Sequence, residues 1–162
     1  SVVGNSGNND VGIDKDAQLE YEQDAVPNVA LIKARLLFDG FRYNMALTEL
    51  ENIDDSNLNF EQLLEKKYRY GRIYHKTDKT EIAKKYYKEV VISSDLTSKY
   101  FPANSALNLG EIYELQDSLN MALMYYKKCG QMNFNQFENS IKSMAKEGAR
   151  RVNNDLSEKK QN

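Results

Sequence analysis

Few side chains in this chain of 162 residues have the chemistry of a catalytic or metal-binding group. There is one histidine, His75, and one cysteine, Cys129. An imidazole beside two carboxylates is a donor set for a divalent cation or a general acid–base pair. His75, Glu111 and Glu114 form the best such set, because they occupy equivalent positions of successive helices. The set is incomplete for known chemistry of this kind. A di-iron site in a helical protein uses Glu-x-x-His pairs, and none occurs. A single His and a single Cys exclude zinc sites of the Cys/His type. The strings G-x-G-x-x-G, G-x-x-x-x-G-K-[ST] and H-E-x-x-H are absent. A Ser-His-Asp arrangement would need His75, and no nucleophile elbow accompanies it. The expectation is no catalytic residue, no metal ligand, no cofactor and no enzymatic activity, with the three polar side chains facing a groove.

The elements that would position them are legible from an internal repeat. Tyr70-Gly71-Arg72-Ile73-Tyr74 is followed by Ala83 and Tyr87, and Leu109-Gly110-Glu111-Ile112-Tyr113 by Ala122 and Tyr126. In both copies the glycine precedes the first tyrosine by three residues and the alanine by twelve, and the second tyrosine lies four after the alanine. These spacings place glycine and the first tyrosine on one helix face, and alanine and the second tyrosine on one face of the next helix. Two helices cross closely where both side chains are small, so Gly71 is expected to meet Ala83, and Gly110 to meet Ala122. A weaker copy has Ala34, Leu37, Ala46 and Leu50, and a half copy follows at Gly148. The anchors Ala34, Gly71, Gly110 and Gly148 are 37, 39 and 38 residues apart.

The periodicity predicts helices over 28–38, 44–52, 60–76 and 80–92, then 101–115, 118–129 and 135–152. Asp78 or Thr80 is expected to cap the fourth helix, and Gly130 to end the sixth. The lead-in 1–15, rich in Gly, Asn and Asp, has no apolar period. Residues 16–152 form the domain and 153–162 a polar tail. A chain of this length can bury a sizeable core. Its formal net charge of −2 disfavours a general nucleic-acid or membrane surface, and no apolar run is long enough to span a bilayer. Eleven tyrosines with no tryptophan suit helices whose phenols pack between layers with hydroxyls at the edge. Those tyrosines also raise base stacking as a possibility, but their phase buries most of them, and no nucleic-acid partner is expected. Cys129, three residues after Tyr126, reads as a packing residue.

The repeat resembles the tetratricopeptide repeat, whose signature is L-G-x2-Y followed by A-x3-F, with a usual period of about 34 residues. The resemblance implies an all-α, right-handed α-solenoid of about three helix-turn-helix repeats with a C-terminal capping helix. Several strings are similar to a group of tetratricopeptide proteins of Bacteroidota. They are Lys33-Ala34-Arg35-Leu36-Leu37-Phe38-Asp39-Gly40, Leu109-Gly110-Glu111-Ile112-Tyr113, Asn139-Ser140-Ile141-Lys142, and Tyr100-Phe101 with Ser105-Ala106-Leu107. In that group such a segment looks like the C-terminal part of a longer solenoid. The chain departs from it at Phe41, where glycine is usual.

In such folds the first helix of each pair lines the concave face. Positions three before, one after and four after each anchor select Leu31, Arg35 and Phe38, then Tyr68, Arg72 and His75, then Leu107, Glu111 and Glu114. The expected groove grades from basic and aromatic to acidic, which suits an extended peptide or partner helix of mixed charge. A guanidinium at 35 or 72 would hold a carboxylate bidentately. The alternative is a solvated face with Arg72 paired to Glu111. The carboxylate clamp of chaperone-binding members is not matched, because Leu31 and Arg35 stand where it needs lysine and asparagine. The function expected is a non-catalytic protein-interaction scaffold for a protein or peptide, with self-association as a variant. The other reading is a structural or regulatory C-terminal segment of a larger protein whose chemistry lies upstream. The compartment is left open between cytoplasm and, after removal of an export signal, the cell envelope.

Overall fold

The computed structural model describes residues 28–161. The expected lead-in and the acidic stretch up to residue 27 lie outside the described residues. Among the described residues there are seven α-helices and no strand, so the protein is all-α there. The helices are α1 (Val29–Asp39), α2 (Tyr43–Glu51), α3 (Phe60–Lys76), α4 (Thr80–Val91), α5 (Phe101–Leu115), α6 (Leu119–Gln131) and α7 (Glu138–Glu158). Short 3-10 turns at Asp55–Asn57 and Ser94–Leu96 lie in the links from α2 to α3 and from α4 to α5. Each helix packs against the next in the chain. The odd-numbered helices also touch in succession, α1 on α3, α3 on α5 and α5 on α7.

Local chemistry sets the ends. The Asn28 side chain accepts hydrogen bonds from the amides of Ala30 and Leu31 at 3.0 and 3.1 Å, starting α1. At α3, Asn59 Oδ1 accepts from the Gln62 amide and Gln62 Oε1 accepts from the Asn59 amide, a reciprocal capping box. Each such cap stabilises a helix by about 1 kcal/mol. The fourth helix differs from expectation: Lys79 is its cap and no side chain bonds there, because Asp78 is used in the turn.

The three turns within helix pairs are built identically. Phe41, Asp78 and Asp117 each lie seven residues after Ala34, Gly71 and Gly110, and each has a left-handed backbone, with φ of 60°, 58° and 57°. The next amide donates back to the carbonyl five residues earlier: Arg42 to Leu37 (2.8 Å), Lys79 to Tyr74 (2.9 Å) and Ser118 to Tyr113 (2.9 Å). This 6→1 bond satisfies a carbonyl orphaned at the helix end. Phe41 takes the left-handed conformation although it is not glycine, so the departure from the usual residue does not alter the turn.

Two contacts correct the reading of the small residues. A Cβ at Gly71 would lie 2.7 Å from the Tyr87 ring, and one at Gly110 would lie 2.5 Å from the Tyr126 ring. The glycines are therefore seats for tyrosine rings, and the nearest atoms to them belong to those rings rather than to Ala83 and Ala122. Gly130 lies inside α6, which runs on to Gln131, so it does not end the helix. The last helix extends to Glu158, six residues beyond Val152, and takes in part of the expected tail.

Burial falls into two cores. A small one joins Leu31, Ala34 and Phe38 of α1 to Ala46 and Leu50 of α2 and to Ile73 of α3. A large one runs from Leu64 on α3 to Val152 on α7, with Tyr68, Tyr87, Tyr126 and the buried Cys129. Helix α5 is apolar nearly all round, as a helix enclosed by neighbours must be. No helix among the described residues is long and apolar enough to cross a membrane.

Candidate functional site

Helices α1, α3, α5 and α7 contribute side chains to one open cavity of about 200 Å³. Phe38, Leu107 and Met144 supply apolar surface, and Arg72, His75, Lys76 and Glu111 supply charge and an imidazole. The remaining lining comes from Asn104, Asn108 and Tyr87. Five residues selected from the sequence, Phe38, Arg72, His75, Leu107 and Glu111, thus meet in one place.

Arg72 follows the anchor Gly71 directly, so its side chain leaves the helix beside the Tyr87 seat. Its guanidinium lies 4.2 Å from the centre of the Phe38 ring and 5.9 Å from that of Tyr68. A guanidinium over an aromatic face is attracted by the ring quadrupole. Among the described residues no carboxylate lies within ion-pair distance of Arg72, so the alternative pairing with Glu111 is not formed.

His75, one turn on, meets Tyr87 edge-on, with ring centres 6.0 Å apart at 85° and the hydroxyl 3.5 Å from Nδ1. Burial pushes the imidazole below its usual pKa, and Lys76 adds to that; Asn108 and Asp78 oppose it. His75 is therefore neutral at pH 7. Glu111 is pushed the other way, upward, by the packed protein around it and by Glu114, against Arg151 and Lys76. It is nonetheless an exposed residue, and solvent limits that effect.

The other selected residues are placed elsewhere. Leu31 and Tyr68 are core side chains, 2% and 1% exposed, and cannot contact a partner as free groove residues. The positions three before the anchors point under the helix, and Leu107 reaches the cavity from beneath. Tyr68 acts on the site indirectly, since Asn104 Nδ2 donates to its hydroxyl at 2.5 Å. Arg35 is exposed on α1 and is not part of the cavity lining.

Glu114 is engaged outside the cavity. It receives the Tyr126 hydroxyl at 2.5 Å and both Arg151 nitrogens at 3.0 Å. Desolvation would raise its carboxyl, but the bonds from Arg151 and Tyr126 outweigh this, and the net shift is downward.

Sequence reasoning missed Asn104, Asn108, Lys76, Tyr87 and Met144. The first two lie six and two residues before Gly110, Lys76 five after Gly71, and Met144 four before Gly148. Extending the chosen positions by one helical turn in each direction would have found Asn104, Asn108 and Lys76, but not Met144 or Tyr87, which comes from α4. No group of three or more His, Cys, Asp or Glu that could hold a metal occurs among the described residues. Compared with known proteins, the chain matches no family model, and neither a curated protein nor a solved structure is significantly similar to it.

Proposed function

We propose that the chain is a non-catalytic interaction scaffold of tetratricopeptide type that holds a segment of another protein in the groove of its odd-numbered helices. The observation that carries this reading is the shared cavity. Side chains from α1, α3, α5 and α7 converge on it, as expected where successive helix pairs stack with their first helices along one concave face. Three further features support the repeat reading. The turns at Phe41, Asp78 and Asp117 are alike, the odd helices touch in order, and Tyr87 and Tyr126 sit on equivalent glycines. The cavity combines apolar floor, amide groups and opposite charges, which suits a peptide better than a single polar metabolite.

Affinity capture with the full chain tests the reading, alongside Met144→Glu, which places a charge in the cavity from an exposed helix position. Retention of a partner by the wild type and its loss by a folded Met144→Glu is the expected result. A partner retained equally by both would place binding outside the groove and overturn it.

A further inference from the structure

We infer that the segment held in this groove carries an internal acidic side chain next to an apolar one, with the acid bound by Arg72. This rests on the groove reading above and adds the chemistry of its occupant.

The first observation is the state of Arg72. Every other arginine described on α3 and α7 has a carboxylate: Arg69 pairs with Glu65, Arg150 with Glu147, and Arg151 with Glu114. Arg72, half-buried and lining the cavity, has none among the described residues. Its guanidinium lies over the Phe38 ring at 4.2 Å, a contact that does not use its N–H donors. A guanidinium carries its donors in a planar fork that a carboxylate accepts bidentately. Lys76, on the same helix and lining the same cavity, adds positive potential. Uncharged at pH 7, His75 adds no competing charge.

The second observation is the surface beside Arg72. Met144 is 47% exposed on an otherwise polar helix face and offers apolar surface to a ligand, while Phe38 and Leu107, 8% and 3% exposed, back the cavity from beneath. A flexible thioether at a binding surface adapts to apolar side chains of different shape. Asn104 and Asn108, one turn apart on α5, also line the cavity; Asn104 Nδ2 donates to the Tyr68 hydroxyl and Asn108 Nδ2 to the Asn104 carbonyl, which leaves each amide one further N–H for a peptide backbone. Glu111, which also lines the cavity, repels a second acid, so the acidic group is drawn to Arg72. A free chain terminus is not required, because a side-chain carboxylate offers the Arg72 guanidinium the same two acceptor oxygens.

The test is an array of ten-residue peptides with amidated C-termini, probed with the wild-type chain, Arg72→Gln and Met144→Glu. The expected wild-type selection is for Asp or Glu adjacent to Leu, Met or Phe. Arg72→Gln is expected to lower binding of those peptides about tenfold to a hundredfold while leaving the apolar preference intact, since a charge-assisted pair is worth about 1.5–3 kcal/mol. Selection without an acid, or an acid preference that survives Arg72→Gln, overturns the inference while binding that Met144→Glu abolishes still upholds the groove. Peptides bound equally by all three proteins overturn the groove reading itself. An array that retains no peptide overturns the inference. Binding only to peptides with a free C-terminal carboxylate, in a parallel non-amidated array, overturns the internal-acid assignment.

Discussion

Tyr87 and Tyr126 occupy the same place in successive repeats, sixteen residues after Gly71 and Gly110, yet their surroundings differ. The Tyr126 ring lies between two glycines, since a Cβ at Gly110 or at Gly148 would come within 2.5 Å of it. Its hydroxyl donates to Glu114, and Arg151 of α7 closes over that carboxylate. The Tyr87 hydroxyl instead approaches the neutral His75, and beside it lies an open cavity where Arg72 has no carboxylate partner among the described residues. Residue 75 and residue 114 are equivalent by position, as are Tyr113 and Arg151, so two differences in the pattern, imidazole for carboxylate and phenol for guanidinium, separate a clamped junction from an open one. Both phenols are pushed well above their usual pKa, chiefly by burial, so neither ionises at any physiological pH. The lesson is that a repeat supplies equivalent places, and the polar side chains that meet there from successive helices decide whether a place is structural or free to bind.

The largest test of this contrast is steric. Gly148→Ala is expected to destabilise the protein by about 1–3 kcal/mol, because the ring held between α5 and α7 cannot move aside. Gly130→Ala is the control. Nothing lies within 4 Å of its added Cβ, so it is expected to gain up to about 1 kcal/mol from helix propensity. Urea unfolding of the two variants measures both, and equal effects would show that the ring is not tightly seated.

The second test is electrostatic and smaller. The folded pKa of Glu114 is depressed, so its contribution is complete above the unfolded value of about 4.3 and is lost as pH falls through the folded value. Arg151 is about half-exposed, which limits the pair to about 1 kcal/mol. His75 is also depressed, but it is a base. Its folded state resists protonation, so stability is complete above about pH 6.5 and declines as pH falls from there towards the lower folded value. Denaturant midpoints measured from pH 7.5 to 3 are expected to lose the upper decline in His75→Gln and part of the lower one in Glu114→Gln. An unchanged upper decline in His75→Gln would assign it to another group.

The smallest effect concerns the turn of the first pair. Phe41 is 80% exposed with φ of 60°, a conformation that is strained for a bulky residue and easy for glycine. Phe41→Gly is expected to stabilise the protein by up to about 1 kcal/mol, read as a rise in the thermal midpoint. A loss would show that the edge-on contact of Phe41 with Tyr43, at 6.4 Å, outweighs the backbone strain.

Most helix positions were legible because apolar period and turn chemistry act over a few residues. The α3 boundaries follow from Asn59 and Gln62 at one end and Asp78 at the other, and they fall where expected, at Phe60–Lys76. The end of α6 did not, because Gly130 resembles a helix stop in sequence while the chain there meets no reason to turn. The cavity was half legible. Phe38, Arg72, His75, Leu107 and Glu111 follow from helical spacing around the anchors, whereas Leu31 and Tyr68 obey the same spacing and are buried.

By itself the sequence determined the all-helical character, the places of the seven helices and the equivalence of the anchors, since these depend on spacing along one chain. Only the tertiary structure decided that the glycines receive tyrosine rings, that Glu114 is taken by Arg151 from α7, and that Arg72 keeps its guanidinium over Phe38. Those outcomes depend on distances between residues on different helices, and such distances are set by how the helices stack rather than by the order of residues within any one of them.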